Sequence, residues 1–234
     1  MAAVFSGSDR LGDIVARFPK AGEIFTKHGI DFCCGGQKSL SEATKEQGID
    51  ENEVLEKLEK GYQATIGQAV LDIDWRQAPT IGLLDHIVNN HHVFLQRELP
   101  QLSDLTTTIR RVHGASHGDV LAKVHRLFHN LKLDVDQHLI QEEVIVFPLL
   151  KECAENPEPA LLEKIIDLNG GLIEIHEGAG EILKELRKVT DNYTLPEGAC
   201  RTYQMTFSKL EGLESDLFQH IHLENNLLFP RFEA

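Results

Sequence analysis

The chain has 234 residues, with 37 acidic against 23 basic side chains and a net charge of −14. That length accommodates one large domain or two small ones around a sizeable core. The acidity excludes a surface built for a phosphate backbone, so no nucleic-acid partner is expected.

Residues 9–18, 20–28, 39–47 and 50–64 read as short helices. Ser39 with Glu42, and Asp50 with Glu53, have the spacing of a capping box. A glycine-marked turn, DFCCGG at 31–36, lies between the second and third helices. Residues 65–79 break the pattern, carry Trp75 and Pro79, and read as a linker. Four longer helical stretches follow at about 80–111, 119–152, 158–190 and 197–232. Their separators (VHGASHG, ENPEP and DNYTLPEG) are rich in helix breakers. Asp119 is placed to cap the second long helix, and Pro100 and Pro148 predict kinks. The fold class is therefore all-α: a small N-terminal helical domain (1–64), a linker (65–79), and an up-down-up-down four-helix bundle (80–234).

The longest apolar run, residues 144–150, is far too short to cross a bilayer, so no membrane partner is expected. The first 30 residues hold no apolar signal core. The four cysteines, two adjacent and two isolated, do not make a secreted disulfide framework. A cytoplasmic location is expected.

The bundle writes one polar pattern twice. DVDQHLIQEEVIVFP ends at Pro148 and DLFQHIHLENNLLFP at Pro230, and Asp, Gln, His, Glu, Phe and Pro recur 82 residues apart. Residues i and i+4 share a helix face, so His138 points with Glu142, and His220 with Glu224. Leu127, Leu131, Val135, Ile145 and Leu149 flank the first pair; Leu210, Leu213, Leu217 and Leu227 flank the second. A carboxylate on an apolar face carries a large desolvation cost unless a cation meets it. His176 lies inside the stripe Ile165, Leu168, Leu172, Ala179, Leu183, Leu186. His92 lies among Ile81, Leu84, Val88, Leu95 and Leu99, but its neighbour His91 has a rival stripe, and periodicity does not choose between them.

Each helix hairpin thus offers a His and then His-x-x-x-Glu, a donor set for a metal pair. Four imidazoles and two carboxylates against two divalent ions leave room for a bridging hydroxide or oxide. The mixed N/O set suits iron, manganese or zinc. Asp134 and Asp216, one turn before His138 and His220, read as supporting groups, as a cation path, or as solvated acids. His125 and His129 form an i, i+4 pair open to a surface metal. His129 and His222 point away from the ligand faces; His28, His86, His113 and His117 read as surface or capping groups.

Cys33 and Cys34 precede two glycines and the helix that begins near Ser39. Backbone N–H groups there are expected to lower a thiol pKa. Adjacent side chains diverge, which makes a two-thiol chelate awkward; a thiolate would instead accept iron or nitric oxide, or engage a partner. Cys153 and Cys200 read as structural.

His and His-x-x-x-Glu on paired helices resemble the hemerythrin-like domains. Gly180, four residues after His176, and the spacing of Glu224 depart from the oxygen-carrying members. Joined to DFCCGG, the C-terminal HLENNLLFPR resembles the RIC (repair of iron centres) family of di-iron proteins, YtfE/ScdA-like. DHIVNNHH followed by ELPQL resembles that family's first bundle helix, and its frame selects His92.

The resemblance implies a non-haem di-iron protein that repairs iron–sulfur clusters damaged by nitrosative or oxidative stress, with iron donation as the mechanism. The implied metal ligands are His92, His138, His176 and His220, with Glu142 and Glu224 bridging two iron ions that share an oxo or hydroxo bridge. Cys33 and Cys34 would act in delivery. Damaged iron–sulfur proteins, nitric oxide or oxygen as small ligands, and a homodimer are the implied partners. Reduction of nitric oxide or oxygen at the same site, and gas sensing or carriage, are the alternative functions.

Overall fold

The computed structural model describes residues 3–65 and 74–233. Among these residues no β-strand forms, and the bridge between Arg10 and Ser39 is isolated. The helices are α1 (Leu11–Arg17), α2 (Ala21–Lys27), α3 (Leu40–Gln47), α4 (Glu51–Thr65), α5 (Thr80–His86), α6 (Val93–Gln141), α7 (Phe147–Glu155), α8 (Pro159–Val189) and α9 (Arg201–His222). Three π-helical segments, Ile87–His92, Glu142–Val146 and Leu223–Leu228, interrupt this order, and a 3₁₀ turn, Phe229–Phe232, closes it. No helix among the described residues is long and apolar enough to cross a membrane. The chain divides into two compact units, Leu84–Leu217 and Met1–Leu83 with Phe218–Ala234. Most of the linker read at 65–79 lies outside the described residues.

In the unit that contains the N-terminus, α1, α2 and α3 have only seven or eight residues each. Helices so short do not persist alone, so packing must hold them. Leu11, Ile14, Phe25, Leu40, Val54 and Leu58 are buried at 1% exposure or less. The rings of Phe5 and Phe18 each meet Tyr62 edge-on, at 5.4 and 5.8 Å. Ser39 and Glu42 form the full capping box. Asp50 caps α4 through the N–H of Asn52 (2.9 Å), but Glu53 turns to Lys57 instead of completing a box.

The double-Cys turn is fastened to the C-terminal segment within this same unit. Asn226 Nδ2 donates to the carbonyls of Cys33 (3.0 Å) and Phe32 (3.3 Å), and Asn225 Nδ2 reaches Cys33 O at 3.4 Å. The ring of Phe32 packs against Phe218 and His222. Asn226 occupies the space that a side chain at position 36 would need: a Cβ on Gly36 would stand 2.1 Å from its Oδ1. Gly36 is thus required for close approach rather than for an unusual φ.

In the other unit, α6 is two antiparallel arms. Helical hydrogen bonding continues through 112–118, and only His117 leaves helical geometry (φ −132°, ψ 29°). The arms fold back on each other, which sets Ser103 beside His129 and Thr107 beside His125. The breaker-rich separator read at 112–118 is therefore a one-residue break, and Asp119 lies inside helix instead of capping it. Pro100 is carried within α6, where no neighbouring residue leaves helical φ/ψ. At the end of α8, Asp191, Asn192 and Tyr193 take positive φ, and Thr190 Oγ1 accepts the Tyr193 N–H at 3.0 Å. Arg187 lies over the Tyr193 ring and pairs with the buried Glu214.

Asn226→Ala removes the donor from two carbonyls, so a loss of about 1–3 kcal/mol is expected in urea unfolding. Gly36→Ala should destabilise in the same direction, because the new Cβ displaces the same side chain.

Candidate metal centre

Three of the predicted ligands sit in the π-helical segments. His92 ends the first, Glu142 begins the second, and Glu224 lies in the third. The repeated Phe-Pro accounts for two of these segments. Proline has no N–H and its ring crowds the carbonyl four residues back. For Pro148 that residue is Val144, and for Pro230 it is Asn226; both lie in the widened turns. A π turn relieves that crowding and re-aims the residues within it.

In the unit Leu84–Leu217, four predicted ligands come together. Glu142, with no exposed surface, is faced from two sides: His138 Nε2 lies 3.2 Å from one oxygen and His92 Nε2 lies 3.4 Å from the other. His176 Nε2 lies 3.0 Å from His138 Nε2, the rings crossing at 77°. Ligand atoms of His138, Glu142 and His176 fall within 4.8 Å of one another. In the other unit, His220 Nε2 lies 3.0 Å from Glu224 Oε1, both side chains buried. Imidazole nitrogens and carboxylate oxygens gathered at this spacing in a buried site fit a cation with mixed N/O preference. The donor chemistry therefore suits the metal that the sequence implies.

Sequence periodicity left His91 and His92 open, and the geometry separates them. His92 is fully buried beside Glu142, whereas His91 turns its Nδ1 to Asp216 at 3.1 Å. Glu143, which the periodicity did not single out, accepts the His92 Nδ1 proton at 2.8 Å. That hydrogen bond fixes the tautomer and leaves the unprotonated Nε2 facing Glu142. Phe147 stacks on the same ring at 5.5 Å. Asp134 is exposed, as the solvated reading has it.

His222 was read as facing away from the ligands, and it does, but into the interior. Burial pushes it down to about 4, and its Nδ1 lies 3.2 Å from Asn226 Nδ2. The only signal for it in the sequence was its place among apolar neighbours.

The double-Cys turn departs from expectation twice. The two Sγ atoms lie 3.7 Å apart and, with an oxygen of Asp31, form a second group of potential ligand atoms within 4.8 Å. Adjacent thiols converge because the Asp31 carboxylate accepts from the N–H groups of Cys34 and Gly35 and curls the turn. The Cys33 thiol is raised well above its ordinary value by its hydrogen bond to Cys34, by burial and by the Asp31 charge, which is the reverse of the expected lowering.

Cys153 is buried, as a structural residue would be. Cys200 is exposed and lies 3.1 Å from His113 Nε2. The Tyr203 N–H and His113 lower its thiol to about 7. Sequence gave no notice of this, because His113 is 87 residues away.

Glu143→Ala should weaken metal affinity by roughly 10–100-fold in competition with a chelator. Alkylation of Cys200 by iodoacetamide, followed by mass spectrometry, should rise with a midpoint near pH 7, the thiol being protonated below and thiolate above. His113→Ala should move that midpoint upward.

Residues 83–232 match the family model of the hemerythrin HHE cation binding domain, and residues 7–62 match that of ScdA_N, a domain of unknown function (DUF542). Among curated proteins, the iron-sulfur cluster repair protein YtfE of Cronobacter sakazakii is 32% identical over 223 residues, covering 94% of each chain. ScdA of Staphylococcus epidermidis, also named an iron-sulfur cluster repair protein, is 31% identical, covering 95% of this chain and 97% of its own. YtfE of Escherichia coli O8 is 32% identical, with 94% of each chain covered. With its cation-binding domain matched over 83–232 and its relatives aligned almost end to end, the chain belongs to the YtfE/ScdA family of hemerythrin-like iron–sulfur cluster repair proteins, the RIC family.

Proposed function

We propose that this protein repairs iron–sulfur clusters damaged by nitrosative or oxidative stress, and does so by donating iron. The observation that carries the reading is Glu142, wholly buried and faced by His92 and His138 on its two oxygens. The proposed ligands are His92, His138, His176 and His220, with Glu142 and Glu224 bridging two ions that share an oxo or hydroxo bridge. Support for one six-ligand centre comes from the sequence repeat, which gives each helix hairpin a His and a His-x-x-x-Glu. The proposed division is 1–64 for the double-Cys domain and 80–234 for the bundle, joined by 65–79.

Iron is the cargo: a client cluster that has lost metal regains it from this reservoir. The chain's own residues do the rest. The imidazoles and carboxylates hold the ions, the bundle keeps bulk water away, and Glu143 sets the His92 ring. Cys33 and Cys34, fastened by Asn226 beside the segment that carries Glu224, are the proposed delivery groups. A cytoplasmic location, a homodimer, and nitric oxide or oxygen as small ligands complete the reading.

The test is transfer. Iron-loaded protein is mixed with a cluster protein stripped by nitric oxide, and client activity and bound iron are followed together. Recovery of the client matched by iron loss from the donor is expected. Glu142→Leu and Glu224→Leu should lower bound iron and recovery in parallel. Turnover of nitric oxide with a reductant and no iron loss would instead establish a reductase, and reversible gas binding alone a carrier.

A further inference from the structure

The pair His125–His129, left over from the metal reading, belongs to a different kind of site. It lies in a cavity of about 580 Å³ between the two arms of α6, lined by Arg110, Lys123, Arg126 and Asn130 as well as the two histidines. This volume is that of a small-molecule site. No carboxylate lines it. Among the described residues none of Arg110, Lys123 and Arg126 pairs with an acid, although the chain holds 37 acids against 23 bases. Three cations left together on so acidic a protein focus a positive field into one hollow.

The histidines are committed elsewhere. Their rings stack at 4.0 Å. His129 Nδ1 donates to the His125 carbonyl at 2.8 Å, and its Nε2 lies 3.1 Å from Ser103 Oγ. His125 Nε2 lies 3.2 Å from Thr107 Oγ1, and its Nδ1 is 3.4 Å from Arg110 Nη1. Burial, His129 and Arg110 all push His125 down, so it stays a neutral acceptor that steadies the guanidinium. A metal ion would have to displace these contacts and sit against three positive charges.

We propose that this cavity binds a compact, multivalent oxyanion of the phosphate class through Arg110, Lys123 and Arg126. Two guanidinium forks and an ammonium match the oxygens of such an anion. A nucleic acid is excluded by the net charge, which repels an extended polyanion; a compact ion meets only the local field.

Lysine footprinting on the iron-loaded protein tests this. The rate at which an N-hydroxysuccinimide ester acetylates Lys123 is followed by mass spectrometry with pyrophosphate, with tricarballylate, and with neither. Protection of Lys123 is expected, roughly tenfold when pyrophosphate exceeds its Kd about tenfold. Arg110→Gln with Arg126→Gln should abolish it; both side chains are exposed, so the fold does not depend on them. Protection by pyrophosphate alone supports the phosphate class, and equal protection by tricarballylate overturns it. Indifference of Lys123 to both anions, or protection that survives in the double variant, overturns the proposal.

Discussion

Glu142 has no exposed surface, and the remainder of the bundle is arranged around that fact. Taking a carboxylate out of water costs several kcal/mol even after relaxation, and only close positive charge or multiple polar partners offset it. His138 comes from the same helical face, and His92 from the far side of the carboxylate. His176 closes on His138 from α8. Each of these side chains is useful only if the others are already placed. The apolar stripes that carry them are buried as well, Leu131, Val135 and Leu172 among them, so the polar site and the core share the same helix faces.

The widened turns tie this site to the repeat. A proline six residues after each glutamate would break an ordinary α-helix. Here the break is absorbed by π turns, which hold Glu142 and Glu224 in geometry that a regular helix does not offer. The Phe-Pro of the repeat and its His-x-x-x-Glu are thus parts of one device. The second turn also brings Glu143 against His92 while Glu142 faces inward, so two consecutive acids serve the same imidazole from opposite sides.

This geometry explains how far the sequence could be read. The helical class, the repeat and the pairs His138–Glu142 and His220–Glu224 were legible, because each histidine stands in regular α-helix that runs to Gln141 in the first case and to His222 in the second, within two residues of the glutamate. His91 and His92 lie inside a π segment, where each residue rotates by less than in an α-helix. Arithmetic based on the α-helix has no power to choose between them there, and the family frame supplied the choice. Glu143 was invisible for the same reason. The hairpin at 112–118 was read as a loop from its glycines, yet one residue, His117, supplies the whole break. Cys200 and His113 meet only through tertiary structure.

The segment from Gln219 to Asn226 carries two sets of obligations. His220 and Glu224 pair with each other in the interior. Gln219 donates to Pro19 O, His222 packs on Phe32, and Asn226 holds the carbonyls of Phe32 and Cys33. His220, His222 and Glu224 are buried, whereas Gln219 and Asn226 are only partly so. Asn226 lies two residues after Glu224 on this segment, and both Asn225 and Asn226 reach the Cys33 carbonyl. The double-Cys turn and a predicted ligand are thus joined through a short stretch of backbone and the side-chain amides of Asn225 and Asn226.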